Sequence, residues 1–230
     1  MDLTEARTLL AQRGWLSGEK PQFRDAVLAT STLRRYDAGE FAFHADDEPG
    51  GLFGLVDGSF GVLIPADGDR LALVHVLHES VWFGHGPALT GRRRTLTFRA
   101  IEASHVLYLP LPRLADLGSH LPELKSRIAA LSEMNFTIAI RTIGDLLIRS
   151  GAQRVAATLL RAAGFPDEGV GGPPWPIRLS QSEIGEMANV SRDRVNRTLA
   201  DFQRRDWISQ RYREIVVVDG EALRRYAFRR

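Results

Sequence analysis

The chain has 230 residues, 44% of them hydrophobic, a formal net charge of +2, a pI near 9.3 and no cysteine. This length admits one large domain or two small ones with a packed core, and the missing cysteines exclude disulfides, thiolate zinc sites, Cys-held iron–sulfur clusters and thiol redox sensing. No apolar run reaches the length of a membrane span, and the opening MDLTEARTLLAQRGW lacks the basic-then-apolar order of a signal peptide, so a cytoplasmic location is expected.

Residues 2–13 form an amphipathic helix with Leu3, Ala6, Leu9 and Leu10 on one side, and a second short helix covers 22–29. From about Leu33 to Leu109, short apolar runs (FAFH, GLFGLV, SFGVLIP, RLALVHVL, TLTFRAIEASHVLYLP) alternate with turn signals such as Asp46-Asp47-Glu48-Pro49-Gly50-Gly51 and Ala66-Asp67-Gly68-Asp69. That rate of turns predicts an antiparallel β-sandwich or barrel. Asp57-Gly58 between LFGLV and SFGVLI predicts a hairpin. No helix is expected after Gly84, Gly86 and Gly91.

A long helix follows from Leu121. Leu121, Leu124, Ile128, Leu131, Asn135, Ile138 and Thr142 recur in alternating steps of three and four, the rhythm of a coiled-coil seam with one polar interruption. Leu124, Ile128, Leu131, Asn135 and Ile138 are therefore the expected dimerisation residues, with packing inside one subunit as the alternative. Ser150-Gly151 is a hinge, 152–163 a further helix closed by Gly164, and 165–176 a Pro/Gly-rich loop.

The stretch 180–208 carries the clearest signal. Ser180 with Glu183 has the spacing of a capping box, Ile184, Met187 and Ala188 share a helical face, and Asn189 tolerates the left-handed turn. Ser191 caps a second helix whose buried stripe is Val195, Leu199 and Phe202. Arg192, Asp193, Arg194, Asn196 and Arg197 crowd its first turns, where a recognition helix meets base edges. Arg suits guanine, Asn suits adenine, and an acid accepts from cytosine. With Ser180, Gln181, Ser182 and Ser191 beside them, these are the candidate DNA contacts; a solvated basic face is the bland alternative. Residues 151–230 hold 14 arginines against 10 acids, and residues 1–150 hold 16 basic against 18 acidic residues, which suits a phosphate reader joined to something else. Trp207-Ile208 and Ile215–Val218 form a wing around residues 210–214, and a last helix over 223–228 precedes the tail Arg229-Arg230.

The order of β-roll, long helix, hinge and winged helix-turn-helix resembles the CRP/FNR family of bacterial transcription regulators. Glu183-Ile184-Gly185 and Ser191-Arg192-Asp193 with Val195 and Arg197 carry the likeness, and Arg154 with Val155 and Leu159-Leu160 matches the helix after the hinge. The resemblance implies an α+β chain. A jelly-roll (double-stranded β-helix) sensor of the cyclic-nucleotide-binding type occupies 1–118, a dimerisation helix 119–150 and a winged helix-turn-helix 151–230. It implies double-stranded DNA, a second copy of the chain and RNA polymerase as partners, base contacts from Arg192, Asp193 and Arg197, and no enzymatic activity.

The family's effector stretch corresponds to Gly84, His85, Arg94, Thr95, Ala139 and Ile140. Arg94-Thr95 retain donors for an anion. His85 replaces the acid that takes a ribose hydroxyl, and Ala139-Ile140 offer no hydrogen bonds where the adenine-contacting pair falls. The expected effector is thus something other than cyclic AMP, or none is needed. Competing readings are a metal- or haem-dependent β-barrel using His75, His78 and His85, and a winged domain that contacts protein. Arg92-Arg93-Arg94 reads as a second nucleic-acid patch or a solvated loop.

Overall fold

The computed structural model describes every residue except Asp67, Asp69, 166–173 and Arg230. The loop expected over 165–176, the turn at 66–69 and the end of the basic tail therefore lie partly outside the described residues. The chain divides into two compact units, Met1–Val62 with Leu77–Ile138, and Leu63–Val76 with Ala139–Arg230.

The first unit opens with α1 (Leu3–Gln12), whose first turn is capped by the Asp2 carboxylate accepting from Glu5 N–H. A 3-10 turn (Trp15–Gly18) leads to α2 (Pro21–Thr30), with Pro at the helix start where its missing N–H costs nothing. The strands are β1 (Thr32–Tyr36), β2 (Phe41–Phe43), β3 (Leu52–Asp57), β4 (Phe60–Pro65), β5 (Leu71–Leu77), β6 (Trp82–Phe83), β7 (Thr97–Ala100) and β8 (Ser104–Leu109). They form two four-stranded sheets, ordered β1-β8-β3-β6 and β2-β7-β4-β5. Strand β3 is apolar on both sides because it separates two cores. Phe53 and Leu55 join Phe43, Phe60, Phe83, Phe98 and Val106. Leu52 and Val56 join Leu10, Leu16, Phe23, Trp82 and Leu107 on the helical side. Gly54 makes room there, since a Cβ would lie 2.6 Å from the Trp82 indole.

Several expectations are corrected. Asp57-Gly58 turns the chain, but β3 and β4 lie in different sheets, so the turn is a corner and no hairpin forms. The corner is fixed by Asp57 Oδ1, which accepts from His105 N–H at 2.7 Å, and by Gly58, whose φ of +82° brings it against Ser104. The run 95–110 holds two strands, parted by the turn at 101–103. A short helix α3 (Gly86–Thr90) does follow Gly84, started by Pro87 and stopped by Gly91 at φ +66°. An unforeseen helix, α4 (Leu111–His120), precedes the long α5 (Leu124–Leu146).

The expected seam is also corrected. Leu124, Ile128 and Leu131 are at most 3% exposed and belong to the core that contains Leu16, Phe23 and Leu114. Their periodicity reports burial within one chain. The large apolar residues that α5 and its end leave exposed are Met134, Phe136, Ile140, Ile143, Leu146 and Leu147.

The second unit contains α6 (Gly151–Ala162), α7 (Gln181–Ala188), α8 (Arg192–Arg204), β9 (Ile208–Arg211), β10 (Glu214–Val217) and α9 (Gly220–Phe228). Val155, Leu159, Ile184, Val195, Leu199, Phe202 and Leu223 are fully buried in it. The segment Leu63–Val76 is held by two polar anchors. Leu73 N–H donates to Glu186, and Arg161 donates to Val74 O while paired at 3.0 Å with Asp145.

Candidate functional site

The helix-turn-helix is built by three local devices. Ser180 and Glu183 form a reciprocal capping box that starts α7. Asn189 ends it at φ 48°, ψ 56°, a left-handed conformation that an amide side chain tolerates. Gly185 permits the tight return, because a Cβ there would lie 2.8 Å from Val190 O. Ser191 then caps α8 by accepting from Arg194 N–H. Val195, Leu199 and Phe202 turn inward, which leaves Arg192, Asp193, Arg194, Asn196 and Arg197 exposed on the first turns.

The electrostatics of that face are unusual. Among the described residues, no carboxylate forms an ion pair with Arg192, Arg194 or Arg197. Other arginines of the same unit are paired: Arg204 and Arg205 with Asp201, Arg178 with Glu214, and Arg161 with Asp145. Cations at a helix N-terminus oppose the helix dipole, so unpaired arginines there act against local stability. Asn196 accepts a 3.3 Å hydrogen bond from the Gln181 side chain, linking the start of α7 to the exposed face of α8. Ser182 is exposed beside Gln181, so all nine candidate DNA contacts belong to this one motif.

Behind the motif lies Arg154 of α6. Its Nε donates to Ala188 O at 2.8 Å and its Nη2 to Asn189 O at 3.0 Å. Its Nη1 donates to Ile148 O at 2.8 Å and to Arg149 O. One guanidinium therefore holds the turn of the helix-turn-helix and the chain that leaves α5. The sequence marked Arg154 only through its family likeness, because its partners are backbone carbonyls, which leave no residue-type signal.

The roll gathers some of the expected effector residues and not others. Arg94 is 4% exposed. It donates to Gly84 O at 2.6 Å and Gly51 O at 3.0 Å, and its guanidinium carbon lies 4.0 Å from the Phe43 ring centroid. Burial lowers its pKa from the usual arginine value. Stacked rings fill the space beyond, with Phe83 centroids 5.2 Å from Phe53 and 4.7 Å from Phe98. The His85 pKa is lowered, by burial first and by Arg94 second. Its neighbour on α5 is Asn135, 3.5 Å away, which departs from the expected Ala139-Ile140. Ile140 is half exposed on α5, and Thr95 is exposed where Arg94 is buried. Arg93 is engaged by Glu48 and by Asp46 O, so Arg92-Arg93-Arg94 is not one continuous cationic patch. Among the described residues, no group of three His, Cys, Asp or Glu is placed to hold a metal ion, and no helix is long and apolar enough to cross a membrane.

Comparison with known proteins fits this sequence of parts. A cyclic nucleotide-binding domain model matches residues 33–120, and a Crp-like helix-turn-helix model matches residues 153–226. The chain is a CRP-like transcription regulator of the CRP/FNR family. It is 25% identical over 186 residues to the cAMP-activated global transcriptional regulator CRP of Escherichia coli O6:H1, covering 80% of this chain and 89% of that one. The CRP-like cAMP-activated global transcriptional regulator of Mycobacterium tuberculosis is 25% identical over 221 residues, 95% of this chain and 98% of the relative. Among solved structures, the c-di-GMP responsive regulator CLP of Xanthomonas campestris superposes with a TM-score of 0.67 at 20% identity, covering 86% of this chain and 99% of its own. The fold expected from sequence, a nucleotide-binding-type roll followed by helices and a Crp-type helix-turn-helix, is the observed one.

The clamp in this regulator makes a sharp prediction. Arg154→Ala strips donors from four carbonyls and should lower stability by about 2 kcal/mol, seen as a reduced urea midpoint. Arg154→Lys should recover only part of the loss, because an ammonium lacks the planar fork. Wild-type stability in the alanine variant would contradict the clamp.

Proposed function

We propose that this regulator acts as a homodimer that reads a pseudo-palindromic DNA site through the first turns of α8. The observation that carries the reading is the set of exposed, unpaired cations Arg192, Arg194 and Arg197 just after the left-handed turn at Asn189. A local arrangement that opposes the helix dipole is what a surface shaped for a polyanion would carry. In this reading Arg192 and Arg197 contact bases, Asp193 and Asn196 add discrimination, and Ser180, Gln181, Ser182, Ser191 and Arg194 position the motif on the backbone. RNA polymerase is the further partner that a promoter-bound regulator would meet.

Support for pairing comes from α5 and the residue that follows it. Phe136, Ile140, Ile143 and Leu147 are 59%, 50%, 55% and 78% exposed, and they follow one another in steps of four, three and four. That is a coiled-coil seam on the opposite phase from the buried Leu124 and Leu131. Two copies of the stripe would bury each other and place two reading helices on one duplex.

The roll, in this reading, does not take cyclic AMP. The guanidinium that would hold a cyclic phosphate is already bonded to Gly84 O and Gly51 O, and His85 supplies no carboxylate for a ribose. The regulator either binds DNA without an effector or answers a different one.

Three outcomes test this. Arg192→Ala and Arg197→Ala should each weaken operator binding by about 1–3 kcal/mol and lower the slope of affinity against salt, measured by titration at several ionic strengths. Unchanged binding in both would remove the α8 reading. Ile143→Glu should convert the protein to monomers in sedimentation velocity; a persistent dimer would place the interface elsewhere. Cyclic AMP at millimolar concentration should leave the melting temperature unmoved, whereas a saturable upward shift would restore it as a ligand.

A further inference from the structure

The first turn of the roll carries a hollow that DNA reading does not use. Strands β1 and β2 are each the outer strand of their sheet, and residues 37–40 join them. From these two edges Arg34, Arg35, Tyr36, Glu40 and Phe41 line an open hollow of about 470 Å³. That is within the size range of small-molecule sites. Its walls include neither Arg94 nor His85, so it is a different place from the position that resembles an effector site.

Local structure fixes the walls in advance. The Glu40 carboxylate accepts from Asp37 N–H at 2.6 Å, and Arg35 donates to the Asp37 carboxylate at 2.6 Å, so the turn holds its shape. Tyr36 packs edge-on against Phe60 with centroids 5.5 Å apart, which ties one aromatic wall to the core. Phe41 stays 37% exposed, its ring centroid 4.2 Å from that of His44. The Arg34 guanidinium carbon lies 3.5 Å from the Tyr108 ring centroid, and the Tyr108 ring lies 4.8 Å from that of buried Phe53.

Arg34 is the informative group. Stacking occupies one flat face of its guanidinium and leaves the N–H groups on the edge available. Among the described residues, no carboxylate pairs with Arg34 and no protein acceptor takes its N–H groups. Edge strands often carry charge to deter pairing with another chain, but that role needs only a side chain loose in water. A guanidinium laid flat on a ring has already given up that freedom, so an anion loses little by fixing it.

We propose that this hollow binds a small aromatic carboxylate. Arg34 takes both carboxylate oxygens on its open edge. Tyr36 and Phe41 cover the ring of the ligand. Glu40 turns away phosphate, whose second negative charge would meet a carboxylate already held in place. The inference stands apart from DNA reading by α8 and is tested without DNA.

The test titrates the full-length protein with phenylacetate at constant ionic strength, followed by calorimetry and by the melting temperature. Wild type should bind saturably with a Kd of about 1 mM or tighter, and melt higher as the ligand is added. Phenylacetamide has the same shape without the charge, and it and inorganic phosphate should each bind at least about tenfold more weakly. Arg34→Ala should melt as wild type does without ligand, yet bind phenylacetate at least about tenfold more weakly; Arg34→Lys should recover only part of the loss. Glu40→Gln keeps an acceptor for Asp37 N–H and should narrow the margin between phosphate and phenylacetate. No saturable binding in wild type, equal affinity for phenylacetamide, or unchanged affinity in Arg34→Ala would each overturn the site. The phenylacetamide comparison uses wild type alone, so it decides even where a variant misfolds. Phosphate binding more tightly than phenylacetate would overturn the carboxylate assignment, and an unchanged margin in Glu40→Gln would overturn the role given to Glu40. None of these results touches the α8 reading.

Discussion

One guanidinium, that of Arg154, ties the end of α7 to the chain that follows α5. A helix leaves its last carbonyls without partners and with partial negative charge. Arg154 answers this at Ala188 and Asn189, where α7 ends, and the same guanidinium also bonds Ile148 O and Arg149 O in the segment after α5. Arginine's planar fork reaches these carbonyls in a fixed geometry, so the two ends cannot move independently without exposing carbonyls. The turn that aims α8 is therefore mechanically coupled to the chain emerging from α5. An allosteric signal needs such an element, in which a shift at one end changes the energy of the other.

Both candidate sites carry arrangements that oppose local stability. On α8, Arg192 and Arg194 sit without a carboxylate partner at the positive end of the helix dipole, with only Asp193 in that turn to offset them. In the roll, Arg94 is buried against Phe43, with carbonyls as its hydrogen-bond acceptors and its Nε without a partner. The two differ in accessibility. The α8 cations are exposed and available to a polyanion, whereas Arg94 has been drawn into the aromatic core. Within the same architecture, the DNA-reading face stays open and the position that resembles an effector site is filled by the protein's own groups.

Much of this was legible in the sequence, and the pattern of misses is physical. The helix-turn-helix could be read because Ser180, Glu183, Asn189 and Ser191 act within a few residues of themselves. Asp57-Gly58 signals a bend, but pairing depends on distant partners: β3 pairs with β8 and β6, so the bend joins two sheets. The heptad over Leu124, Ile128 and Leu131 states that one face is covered without stating by what, and here that face joins the core that holds Phe23 and Leu114. The second stripe, through Phe136, Ile140, Ile143 and Leu147, has the same three-and-four rhythm, so spacing alone does not tell the covered face from the open one. Asn135 fits the seam by spacing but lies beside His85, a neighbour that only tertiary packing sets. The wing's two-residue tip was missed because Tyr-Arg carries none of the usual turn chemistry.

The central claim is that two copies of the α8 surface read one duplex together. Selection of bound sequences from random double-stranded DNA by the full-length protein, with the stoichiometry of the selected complex measured by sedimentation, tests it most directly. The account predicts two inverted half-sites with centres about 34–36 Å apart, one helical turn or a multiple of it, bound by two chains. A lone half-site occupied by one chain, or a pool that never departs from random, would contradict it.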